Sequence, residues 1–141
     1  MSAVPITGLL PSHLWWLIVV YFLASLAHFS HNAEYIALYP NMPAWLSRED
    51  VYLAWTAITS FAIAGGLMLA RGWRVAAGVA LGAYGASGLA GLAHYTLALC
   101  SEHTFLMNLT IWFEAVAGVA LAVAAFRHVA VTGLAKKRAD V

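Results

Sequence analysis

Four ionisable side chains, His28, His31, His94 and Glu114, fall inside long apolar stretches of the chain, where a charge or an unpaired polar group is costly. Each needs a partner, and the chemistry open to imidazole and carboxylate is limited to holding a metal, moving a proton or hydrogen-bonding a neighbour. Spacing groups them. Tyr21, Ser25, His28, Asn32, Tyr35 and Tyr39 recur at intervals that alternate between four and three, which places them on one stripe of a helix. His31 and Glu34 stand three apart on an adjoining face, within reach of each other or of one shared ion. Further along, His103, Met107, Thr110 and Glu114 form a second stripe with Asn108 beside it, and His94 with Tyr95 ends the stretch between the two.

Histidines and a carboxylate converging inside a bundle suit a transition metal, zinc or copper before iron. The expected ligands come from His28, His31, Glu34, His94, His103 and Glu114, with Asn32, Tyr35, Thr59 and Asn108 as partners that orient them or contact a bound cofactor. A di-iron centre of the ferritin kind is disfavoured. Its E-x-x-H pairs appear here once and reversed, as His31-Asn32-Ala33-Glu34, and residues 51–70 offer no ligand. Haem b would need two histidines facing each other at similar depth, for which His28 and His94 are the pair. A metal-free alternative makes Glu114 and His28 catalytic, exchanging protons as a general acid and base on a lipid. In the plainest alternative the polar groups satisfy one another in a structural or accessory membrane subunit.

The elements that position these residues follow from composition. The chain has 141 residues, 63% hydrophobic and only 9% charged, with mean hydropathy +0.81, whereas a soluble domain carries roughly a quarter charged residues. A hydrocarbon layer about 30 Å thick takes about 20 apolar residues per helix. Four stretches meet that length, at 14–38, 51–70, 74–99 and 104–127. With short connections they predict an all-α integral membrane protein, a single four-helix up-and-down bundle whose first partner is the lipid bilayer. Each stretch carries its polar residues toward the same end. The expected result is a polar cavity open at that end, with Glu114 its deepest member. Gly78, Gly82, Gly85, Gly88 and Gly91 mark the third stretch as the closely packed helix, and Gly78 with Gly82 also offers a G-x-x-x-G face for a homo-oligomer or larger complex.

Orientation is read from the connections. Arg71, Arg74, Arg127, Lys136, Lys137 and Arg138 share one side of a four-span chain, and Arg48 stands alone on the other. The positive-inside rule then puts both termini in the cytoplasm, with the polar cavity facing outward; the Ala- and Gly-rich composition suits a bacterial inner membrane. Met1 to Ser12 lacks Lys and Arg, and no small-residue cleavage site follows a short apolar core, so the first span is expected to remain in the mature protein. His13 and His128, with Trp15 and Trp16, read as residues of the inner interface, and Trp45 as one of the outer. Pro40 should end the first helix and Asp50 cap the second.

Several function classes lack their signatures. The basic tail is short and has no interleaved aromatics, which excludes a nucleic-acid surface. No G-x-S-x-G, phosphate-cradling glycine loop or C-x-x-C occurs. Cys100 is the sole cysteine, so the chain forms no internal disulfide. The Asn108-Leu109-Thr110 sequon lies within the fourth stretch, out of reach of glycosylation.

Overall fold

Pro11, which has no amide hydrogen to donate, sits at the entry to α1 (Ser12–Glu34). In a computed structural model of the chain, which describes residues 10–139 and their side chains to residue 131, every regular element among the described residues is helical. The N-terminal residues before 10 and the basic cluster Lys136, Lys137 and Arg138, used above for orientation, lie outside what is described of side chains. Helix α1 stops at Glu34, short of the expected residue 38. Tyr35 leaves helical geometry (φ −118°, ψ 24°), and a single 3-10 turn at Ile36–Leu38 carries the chain to Pro40.

Helix α2 (Arg48–Ala70) opens with a capping box. The Ser47 hydroxyl accepts the Asp50 amide at 3.2 Å, and Asp50 Oδ2 accepts the Ser47 amide at 3.0 Å. Ser47 is therefore the cap and Asp50 its reciprocal partner, not the cap itself. The turn at 71–73 uses Gly72 at φ +78°, a conformation open to glycine at little cost. The third span is not one uniform helix: α3 (Arg74–Ala86) tightens into a 3-10 stretch at Ser87–Ala93 and ends in the short α4 (His94–Leu97). Helix α5 (Phe105–Ala139) runs well past the expected residue 127. Its Ala-, Lys- and Arg-rich end favours helix and holds no proline.

Four segments, Ser12–Glu34, Arg48–Ala70, Arg74–Leu97 and Phe105–Val131, are each long and apolar enough to cross a membrane. They run antiparallel in sequence order. α1 packs on α2 and α5, and α3 packs on the same two, so α1 and α3 face each other across a diagonal. The start of α1 and the end of α5 share one end of the bundle with the 71–73 turn; the connections 35–47 and 98–104 form the other, the distal end. Leu53, Ile63, Val116 and Val131 are 62–68% exposed on the outer faces, an arrangement that water would penalise and lipid would not.

The core lies between α1, α3 and α5. Tyr21 and Tyr84, both fully buried, meet edge to face at 4.6 Å, with Leu14, Leu81 and Leu121 around them. Small residues allow the approach of α3 to α5: a Cβ on Gly85 would stand 2.6 Å from the Gly118 carbonyl oxygen. Gly78 and Gly82 face Val129 and Phe126 of α5, so the G-x-x-x-G pair is used within the chain.

Candidate functional site

Helix α1 presents Tyr21, Ser25, His28 and Asn32 inward, all buried, as their spacing requires. The stripe breaks after Asn32 because the helix ends: Tyr35 is half exposed, while Tyr39, delivered by the 3-10 turn and the bend after it, returns to a buried position. From α5, Met107 and Glu114 face inward with Thr110 between them. His103 lies just before that helix and His94 at the start of α4, and both are buried. The stretch from Ser87 to Ala93 matters here. A 3-10 turn advances roughly 20° more per residue than an α-turn, about 140° over seven residues, so it re-aims His94 toward α1.

The deepest ionisable pair is His28 and Glu114, 2% and 1% exposed, with His28 Nε2 3.6 Å from Glu114 Oε2. Neither carboxylate oxygen has a hydrogen-bond partner among the described residues, and the imidazole is the basic group that faces them. Gly91 makes this arrangement possible. A Cβ there would lie 3.0 Å from Glu114 Oε2 and 3.6 Å from His28 Nε2. At its other ring nitrogen His28 Nδ1 meets the Thr110 hydroxyl at 3.4 Å, a long contact, while that hydroxyl also donates to the Met107 carbonyl at 3.0 Å.

A second layer sits distally. His94 Nε2 is 3.2 Å from Asn32 Nδ2, and the His94 ring lies 5.4 Å from His28, 5.0 Å from Tyr39 and 6.2 Å from His103. The Asn32 carbonyl oxygen and His103 Nε2 are buried without a hydrogen-bond partner. His103 is oriented by its Nδ1–H, which donates to the Leu99 carbonyl at 2.9 Å. His31 Nδ1 shares a 2.8 Å hydrogen bond with the Tyr39 hydroxyl, and Thr110 lies on the other side of that hydroxyl. Burial pushes the Tyr39 phenol up to about 12, so it stays a hydroxyl at physiological pH.

Beside this cluster is a partly open cleft of about 280 Å³ between α1 and the distal part of the third span, roofed by the 39–47 connection. His28, Asn32, His94 and Gly91 form its polar side. Phe29, Met42, Pro43, Leu46 and Leu97 make the rest apolar.

Of the residues singled out in the sequence, His28, Asn32, His94, His103 and Glu114 gather in one region. Others do not join them. Glu34 turns to the surface, accepting from Arg48 at 2.7 and 2.9 Å and from the Tyr52 hydroxyl at 2.8 Å, so it is not paired with His31. Tyr35 stacks on His31 at the surface. Thr59 lies against Tyr84, toward the other end of the bundle. Asn108 is spent on the 98–104 connection: its Oδ1 accepts from Tyr95 and Cys100, and its Nδ2 donates to the Cys100 and His103 carbonyls. The expected metal ligands therefore split between the bundle interior and its surface. Among the described residues no group of three or more His, Cys, Asp or Glu is placed to hold a metal ion. The His28 and His94 rings are in edge contact, with 5.4 Å between their centroids.

The sequence does not by itself mark Tyr39, Thr110 or Gly91 as members of the site. The first two were visible as members of the two polar stripes; Gly91 carried no signal beyond its smallness. Comparison with protein-family profiles, with characterised proteins and with solved structures finds no match to this chain.

Proposed function

We propose that the protein is an intramembrane acid–base site for a small amphipathic molecule. His28 and Glu114 exchange the proton, and the cleft beside them holds the substrate. The observation that carries this reading is the pair itself: two deeply buried ionisable groups 3.6 Å apart, with no hydrogen-bond partner for the carboxyl oxygens among the described residues, of which His28 lines a largely apolar cleft beside Gly91 and Glu114 lies behind it. A bundle that needed only internal hydrogen bonds would be expected to satisfy those oxygens. Neutral imidazole with carboxylic acid, and imidazolium with carboxylate, hold the same protons and differ only in which group carries one of them. Such a pair donates to one substrate atom and accepts from another without drawing on solvent. The Asn32 carbonyl oxygen, buried and unpartnered on the cleft's polar side, supports a substrate bearing a hydroxyl or N–H. The rest of the cleft suits an apolar ring or short chain.

The test is incorporation of solvent deuterium. Membranes containing the protein are incubated in deuterium oxide with their own extracted lipids, and the lipids are analysed by mass spectrometry. A lipid whose mass or deuterium content changes with the native protein, and not with Glu114→Gln or His28→Ala, supports the reading. Lipid profiles identical in all three samples overturn it. A stoichiometric metal in the purified protein, lost in both variants, would replace it with a metal site.

A further inference from the structure

Glu114 is buried, yet one line of side chains leads from it to the surface at the distal end. His28 Nε2 faces Glu114 at 3.6 Å, His28 Nδ1 faces the Thr110 hydroxyl at 3.4 Å, and Tyr39, whose hydroxyl meets His31 Nδ1 at 2.8 Å, lies beside Thr110 without a formed hydrogen bond between the two hydroxyls. His31 is partly exposed, whereas Tyr39, His28 and Glu114 are buried. Every member can both give and take a hydrogen bond. We propose that His31, Tyr39, Thr110 and His28 form a proton path that connects Glu114 to water at the distal end, recharging the acid–base pair after each turnover. This deepens the acid–base reading and rests on it for its purpose, though not for its existence.

The transfers balance. A proton taken from water on the outer side of His31 releases its Nδ1 proton to the Tyr39 oxygen. The Tyr39 hydroxyl proton passes to Thr110, and the Thr110 proton passes to His28 Nδ1. The proton on His28 Nε2 then moves to Glu114. The Tyr39 and Thr110 oxygens each gain one O–H bond and lose one, Glu114 gains the proton at the end, and both His31 and His28 are left as the opposite tautomer, which return flow restores. Thr110 is the switch. Its hydroxyl points to the Met107 carbonyl at 3.0 Å, and for the path to close it must come into hydrogen-bond contact with Tyr39 and rotate toward His28 Nδ1. The long 3.4 Å contact fits a link that is made and broken rather than held. Tyr39 suits the middle of the path because it relays as a hydroxyl and does not ionise.

The path is tested by the rate at which the Glu114 carboxyl proton exchanges with deuterium. The full-length protein is placed in lipid nanodiscs and followed by infrared spectroscopy as the buffer is switched to deuterium oxide. The carbonyl band assigned by its loss in Glu114→Gln is expected to shift promptly in the native protein. It should shift at least about tenfold more slowly in Tyr39→Phe and Thr110→Val, a difference of about 1.4 kcal/mol in barrier. Thr110→Ser, which keeps the hydroxyl, should restore the native rate, and Tyr35→Phe, off the path, should leave it unchanged. The amide bands of the same samples report whether each variant is folded. Equal rates in Tyr39→Phe, Thr110→Val and the native protein overturn the proposal, since the proton would then arrive through the cleft. Absence of a band that depends on Glu114 overturns it too, because the path would have no terminus. Slow exchange in the variants without any lipid turnover by the native protein would keep the path and discard the acid–base reading.

Discussion

Gly91 shows how much a missing side chain can decide. A methyl group there would press on both members of the buried pair, so Gly91→Ala is expected to abolish lipid turnover while shifting the thermal midpoint by only a few degrees. Deuterium incorporation and thermal unfolding in detergent separate the two effects. Asn108 predicts the reverse. Its amide bridges Tyr95, Cys100 and His103 across one connection, so Asn108→Ala should cost about 1–3 kcal/mol of stability, read as a lower unfolding midpoint, and should impair activity only through His103. Glu34 contrasts with both. Its carboxylate pairs with Arg48 at an exposed position, and surface pairs contribute little, so Glu34→Gln should leave unfolding and turnover unchanged. A loss of turnover there would bring Glu34 back into the site.

Among the elements, α3 and α5 make the contact that depends most on small residues. Gly85 meets the backbone of Gly118, which cannot move aside as a side chain could. Gly85→Val should therefore destabilise by about 1–3 kcal/mol or prevent folding altogether. Gly66 of α2 has open space around it, and Gly66→Ala should be neutral or slightly stabilising, since alanine favours helix by about 1 kcal/mol. Equal unfolding midpoints for these two variants would contradict the observed packing. The 3-10 stretch at Ser87–Ala93 has a different role. It is a short, tight segment between two α-helical parts, and the histidine that follows it faces α1 because of that change in pitch.

For the whole molecule, four apolar spans and a strong charge asymmetry predict a definite orientation. Cys100 serves as a native reporter. It is the sole cysteine and is exposed at the distal end. If the termini are cytoplasmic, a membrane-impermeant maleimide should label Cys100 in intact bacterial cells, and Cys100→Ser should remove the signal. Labelling that requires permeabilised cells would reverse the orientation and place the mouth of the proton path on the cytoplasmic side.

The sequence alone determined the class and the count. Four stretches of about 20 apolar residues admit few structures other than helices, because backbone polar groups in lipid must be satisfied within the segment. It also identified the inward faces of α1 and α5, since a 3.6-residue period fixes which side chains share a stripe, and His28, Asn32 and Glu114 followed directly. The tertiary structure decided which polar residues meet. Period says nothing about where a helix stops, so it groups Tyr35 with a stripe that has already ended, while Tyr39 returns to the interior through a turn. Nor does it reveal a change of pitch, so the facing of His94 depended on a 3-10 stretch. Competition settled the rest. Glu34 found Arg48 and Tyr52, Asn108 found the backbone of its own connection, and Glu114 was left with His28, because a buried carboxyl can pair only with what the fold brings within reach.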